Sequence, residues 1–157
     1  MFSASKLLKG GLIVVLLLIG VVSLWLADKQ PVRSGEIPLD GLSSKVSVDY
    51  DEWGIPHIYA EEDLDGFRAL GFVHAQDRLF QMDLLRRVGN GELAALLGPS
   101  VIKVDKTFRT FGTHLTSKKK AAQLRQDQPE TAAKVEAYYD GVNQAIAKLS
   151  TPIEYSL

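Results

Sequence analysis

The chain has 157 residues, 46% of them hydrophobic and 24% charged, with a formal net charge of −1 and no cysteine. Length and composition set the expectation of one globular domain. The missing cysteine excludes a disulfide-stapled miniprotein, a thiolate nucleophile and any cysteine-ligated zinc or iron–sulfur site. A near-neutral charge balance argues against a dedicated nucleic-acid binder.

The averages hide a split. The first 27 residues carry only two charges, Lys6 and Lys9, which leaves 16 basic and 19 acidic residues in the remainder. Gly10 to Ala27 is an uncharged run of 18 residues. As a helix it reaches about 27 Å, enough to approach the thickness of a hydrocarbon core. The preceding lysines favour a cytoplasmic N-terminus and export of the chain beyond Ala27. Residues 1–27 therefore read as a signal anchor or a cleaved signal peptide. Ala27 could precede a cut, but the small-residue rule then meets Trp25; Val21-Val22-Ser23 fits the rule better but would cut inside the apolar run. The body is expected outside the cytoplasm, in the periplasm, either tethered through residues 10–27 or released.

Residues 28–44, with two prolines and two glycines among charges, read as a linker. Val46, Val48 and Tyr50 alternate with polar residues, and Ile55 to Ala60 resumes the alternation after Glu52-Trp53-Gly54. This predicts a β-hairpin, with Pro56 near a strand start or on an edge. From Leu64 the period becomes helical. Phe67, Phe72, Ala75, Leu79 and Met82 form one stripe, and Val73, Phe80 and Leu84 widen it. That helix should end near Arg87, before Gly89-Asn90-Gly91. A short helix, Glu92 to Leu97, closes at Gly98-Pro99. Ser100 to Gly112 is mixed in period, and Lys118-Lys119-Lys120 reads as a solvated helix face. The clearest helix opens at Pro129, with Ala132, Val135, Tyr139, Val142, Ile146 and Leu149 as its apolar face. Gly141 within it costs about 1 kcal/mol relative to alanine. Thr151 to Leu157 carries three apolar residues and no polar tail, which reads as a domain interrupted.

No metal-ligand spacing, GxSxG elbow or phosphate loop is present, so the residues alone nominate no catalytic, cofactor-binding or metal-binding side chain. His57 and His74 read as structural hydrogen-bonders. Gln76, Asp77, Arg78 and Gln81 put four polar groups on an otherwise apolar helix, so some should be buried and paired. A structural ion-pair network is favoured there over a polar wall beside a site.

Asp51-Glu52-Trp53-Gly54-Ile55-Pro56-His57-Ile58-Tyr59-Ala60 and Gly71 to Asp83, containing Ala75-Gln76-Asp77-Arg78-Leu79-Phe80-Gln81-Met82, resemble the penicillin acylase (penicillin amidase) family of N-terminal-nucleophile hydrolases. Gly91 to Gly98, Asp105 to Arg109, Tyr138 to Ile146 and Pro152 to Tyr155 match further blocks in family order. Ala95 stands where an acidic residue is common. Gly54, Pro56, His57, Ala75, Gln76, Asp77, Arg78, Gln81 and Met82 are thus family-motif positions, read as structural. The expected fold is α+β, mostly helical with a short hairpin. It would form an incomplete part of an αββα sandwich, with residues 45–157 as a truncated α-chain segment behind the membrane or signal helix.

The resemblance implies a precursor cut into α and β chains. The new N-terminal serine of the β chain attacks an acyl amide, its own amino group (pKa about 7.7–8.0) serving as base. It also implies a structural calcium ion in the complete enzyme and no cofactor in this chain. The implied partners are the rest of the α chain, the β chain and, when complete, a small-molecule acyl amide. Gly112-Thr113 is the only Gly-Ser/Thr step and has no other support as a cleavage junction. The competing expectation is a non-catalytic, membrane-tethered binding or assembly module that keeps the α-chain surface.

Overall fold

The computed structural model describes residues 4–156. Its elements are α1 (Ala4–Asp28), β1 (Ser47–Tyr50), β2 (Pro56–Tyr59), α2 (Asp63–Asn90), α3 (Ala94–Leu97), α4 (Ile102–Phe111), α5 (Thr113–Asp127) and α6 (Pro129–Lys148). Short 3-10 turns occupy Pro99–Val101 and Ile153–Ser156. The architecture is mostly helical with one antiparallel two-stranded ribbon, as the hydrophobic periods require. Ser47 pairs with Tyr59 and Tyr50 with Pro56, and proline takes the first position of its strand.

The main packing contact is α2 against α6. Phe72, Ala75, Val142 and Ala145 form the core cluster, with Leu79, Met82, Tyr138 and Leu149 packed around it. The crossing is unusually close because glycine sits on both helices. A Cβ added at Gly71 would lie 2.8 Å from the Tyr138 carbonyl carbon. One added at Gly141 would lie 2.8 Å from the Arg68 carbonyl carbon and 2.9 Å from the Phe72 nitrogen. Backbone approaches backbone here, which only residues lacking a side chain permit.

That closeness corrects the expected α6 face. Ala132 and Val142 are buried as expected, but Val135, Tyr139 and Ile146 are exposed. Ala137, Gly141 and Ala145 fill the seam instead. A crossing this tight has room for small side chains and pushes large ones to its flanks.

Residues 28–44 hold no helix or strand beyond the last turn of α1, yet they are tied down. Ile37 and Leu39 pack on the core, and Gln144 exchanges two hydrogen bonds with the Asp40 backbone at 2.8 and 2.9 Å. Lys148 Nζ donates to the Pro38 carbonyl at 2.6 Å. The mixed stretch Ser100 to Gly112 is helical over most of its length, and α5 follows directly after the left-handed Gly112. α5 buries none of its residues, so its sequence carries little apolar signal. Lys118, Lys119 and Lys120 are exposed on it.

Candidate functional site

The motif residues divide between the hairpin and α2. In the hairpin, Asp51 organises the turn. Its Oδ1 accepts from the Trp53 and Ile55 amides at 2.9 and 2.8 Å, and its Oδ2 meets His57 Nε2 at 3.3 Å. Gly54 supplies the left-handed φ of +74° that the turn needs. The Ile55 amide, helped by His57 and the Trp53 amide, holds the Asp51 carboxyl below the usual carboxylate range despite some desolvation. Gly54 therefore lies in the turn, and Pro56 and His57 open the strand β2 that leaves it. The indole of Trp53 beside them is 80% exposed.

On α2 the motif is split by burial. Ala75 is enclosed against α6, and Met82 packs beside the core cluster. Gln76 is half-buried and donates from Nε2 to the Tyr50 hydroxyl at 3.3 Å, which ties α2 to β1. Its Oε1 is buried with no hydrogen-bond partner. Asp77, Arg78 and Gln81 are exposed, and Asp77 and Arg78 form no ion pair among the described residues. The expected ion-pair network is thus not at Asp77-Arg78. Non-helical angles at Arg78 (φ −138°, ψ 17°) break the helical phase there.

Two clefts meet at Gln76. One, of about 790 Å³, lies between residues 32–50 and α2, and includes Arg33, Val48, Tyr50, Phe72 and Val73 in its lining. The other, of about 370 Å³, lies between α2, α6 and residues 149–155, with Leu79, Asp83, Ile146 and Pro152. Burial and then the Asp77 charge raise the Tyr50 pKa, so this group stays a neutral phenol over the physiological range. The clefts can therefore offer hydrogen bonds on apolar walls. Among the described residues neither cleft is lined by a histidine, and His57, His74 and His114 pair with Asp51, Tyr138 and Asn90.

Other polar contacts bind the body together, several at residues that sequence reasoning passed over. Asp65, 1% exposed, accepts the Ser43 and Ser44 amides, while Arg68 reaches Asp140 and the Gly41 carbonyl, each at 2.7 Å. The signal for this pair was a carboxylate and a guanidinium three residues apart on a helix whose intervening positions are apolar. Buried Asp105 accepts from the Leu93 and Ala94 amides at 2.8 and 2.9 Å, and Arg109 donates to the carbonyl of left-handed Gly91 at 2.8 Å. Tyr155 donates to Asp83 at 3.0 Å and meets Phe80 edge to face. Burial pushes Asp83 up, but hydrogen bonds from Arg87, Arg86 and Tyr155 outweigh it and leave its carboxyl below the usual range. Among the described residues there is no cluster of three or more His, Asp or Glu able to hold a metal ion.

The penicillin amidase family model matches residues 45–157. The chain belongs to the penicillin amidase family. It is 43% identical over 128 residues to penicillin acylase 2 proenzyme of Pseudomonas sp. strain SE83, covering 81% of this chain and 16% of that protein. It is 38% identical over 109 residues to penicillin G acylase of Escherichia coli, covering 69% and 12%. It is 37% identical over 117 residues to the acyl-homoserine lactone acylase QuiP of Pseudomonas aeruginosa, covering 74% and 14%. Among solved structures, a thermostable penicillin G acylase from Alcaligenes faecalis aligns with a TM-score of 0.57 at 33% identity, over 66% of this chain and 54% of that one.

The chain spans about a sixth or less of the length of these curated relatives. Within that part, the penicillin amidase blocks are explained by structure. The Asp51–His57 block is a turn and the start of β2, and the Gly71–Asp83 block is one half of a close helix crossing whose other half is Tyr138–Ile146. The Asp105–Arg109 block is the clasp that closes the Gly91 corner.

Proposed function

We propose that this chain is the N-terminal, α-chain part of an exported acyl-amide hydrolase and is inactive alone. The nucleophilic serine and oxyanion donors are then supplied by the rest of the α chain and by a β chain of the same precursor. The observation that carries this reading is how the family blocks are used. Asp51, Asp83, Asp105 and Arg109 are spent on backbone groups, arginines or tyrosine within the chain. No serine or threonine hydroxyl partners a histidine among the described residues. The contribution of this part is a rigid support, with Gln76 and the two clefts on its surface. The relatives' names, covering penicillin and acyl-homoserine lactones, support non-peptide acyl amides as the substrate class. The structural calcium of the complete enzyme would draw its ligands from sequence beyond this chain.

Complementation tests the reading. The full chain is co-expressed with the remainder of a homologous precursor, and lysates are assayed with a chromogenic acyl amide, each part alone serving as control. Hydrolysis is expected only when both are present. Turnover by this chain alone would overturn the proposal.

A further inference from the structure

α1 is a second functional element, and its chemistry is separate from that of the body. Its window from Gly11 to Asp28 is 18 residues of high hydropathy with none of it buried against the protein. The h-region of a cleaved signal is about 7–15 residues, and the uncharged run of 18 exceeds that and is long enough for a span. A cut after Ala27 would place Trp25 at the third position before it, where a small residue is required. Trp25 instead stands one turn from the end of the helix with Lys29 Nζ 5.9 Å from its ring centre. An aromatic ring and a cation paired at a helix end suit the bilayer interface.

The helix is also joined to the body without slack. The Lys29 and Gln30 amides donate to the Leu26 and Ala27 carbonyls, which continues the turn past Asp28. Ser150 Oγ, just beyond the C-terminal end of α6, donates to Asp28 Oδ2 at 2.7 Å. The Lys29 side chain is only 16% exposed. A free tether would show none of these contacts.

We infer that α1 is a retained membrane anchor and that the body is seated on the lipid surface at the C-terminal end of α6. The inference rests on the proposed export but not on any hydrolytic activity, so complementation can fail without touching it. The full chain with a C-terminal tag is expressed in a bacterial host, membranes are floated on a sucrose gradient, and the floated protein is weighed intact by mass spectrometry. The expected result is floated protein of full-length mass. Trp25→Ala, which places alanines at positions 25 and 27, is expected to release body beginning at Asp28. Soluble wild-type body starting at Asp28, or at Leu24 after a cut behind Ser23, would overturn retention, and a Trp25→Ala chain that stays whole would overturn the role given to Trp25. For the seating, Thr151→Cys supplies the one thiol in the chain, beside Ser150 but outside its hydrogen bond to Asp28. It is labelled with a fluorophore and reconstituted into phosphatidylethanolamine–phosphatidylglycerol vesicles with headgroup spin-labelled lipid. Loss of most of the emission is expected, and emission equal to that in vesicles without spin label would refute the placement.

Discussion

Replacing Gly141 by alanine separates two arguments that point in opposite directions. Propensity alone says that Gly141→Ala, in the interior of α6, should stabilise the helix by about 1 kcal/mol. The structure says that the new Cβ would lie 2.8 Å from the Arg68 carbonyl carbon and 2.9 Å from the Phe72 nitrogen. Comfortable contact between heavy atoms is about 3.5–4.0 Å, so the helices must part by on the order of 1 Å. Neither obstructing atom can rotate away, since both are backbone. The cost belongs at the upper end of overpacking, about 3 kcal/mol, for a net loss of roughly 2 kcal/mol. For a chain of this size that lowers Tm by about 4–8 °C. The assay is thermal unfolding of the full chain in detergent micelles, followed by circular dichroism at 222 nm. Gly89→Ala is the control: it lies on α2 with nothing within 4 Å of its would-be Cβ, and it should be neutral or stabilising. Gly71→Ala in the Gly141→Ala background should cost less than it does alone, because the crossing is already open. A Tm for Gly141→Ala at or above that of the parent would refute the backbone-contact account of this interface.

Two other substitutions probe the polar clasps. Asp105→Ala leaves the Leu93 and Ala94 amides without acceptors in a buried corner, and should cost about 3 kcal/mol, read as a lowered urea midpoint. Asp105→Asn retains one acceptor oxygen and should lose less. Asp83 has a folded-state pKa below its unfolded value of about 3.9. Its stabilisation is therefore complete above about pH 5 and is lost as pH falls through the folded value. Asp83→Asn should lower stability at neutral pH and flatten the acid limb of a stability-against-pH curve below about pH 4. Tyr155→Phe, which removes one of the hydrogen bonds holding that carboxyl down, should move the acid limb to higher pH.

The hairpin, α2 and the span of α6 were legible because period-2 and period-3.6 hydrophobicity survive in their sequences. α4 and α5 were not. α5 buries nothing and so needs no apolar stripe, while α4 does gather its apolar residues on one face but buries only Asp105 and lies in a stretch that reads as mixed in period. The docking of residues 28–44 was invisible for a related reason. Its attachment runs through backbone groups of Pro38, Asp40, Ser43 and Ser44, which composition does not distinguish from those of a free linker. At the candidate site the motif order pointed to the family, and the turn chemistry of Asp51, Gly54 and Pro56 could be read from residue type. The partners of Gln76 and Asp105 could not, since both lie across non-local contacts.

The misreading of the α6 face and that of Asp77-Arg78 are linked by geometry. Sequence patterns assign large apolar residues to the core and expect polar residues among them to be paired. Where two helix axes come within backbone contact, the seam instead holds Gly71, Ala75, Ala137, Gly141 and Ala145. The larger residues move to the flanks. There Ile146 and Leu79 line the smaller cleft, while Phe72 and Val73 line the larger one. The smaller cleft thus flanks this narrow crossing, while the larger one opens between α2 and residues 32–50, and Gln76 lines both. The glycines that let the helices touch thereby set the width of the smaller cleft, which lies between α2 and α6, so Gly141→Ala should reshape that cleft as it lowers stability. Ligand binding at the smaller cleft and thermal stability should then change together along a series of seam substitutions.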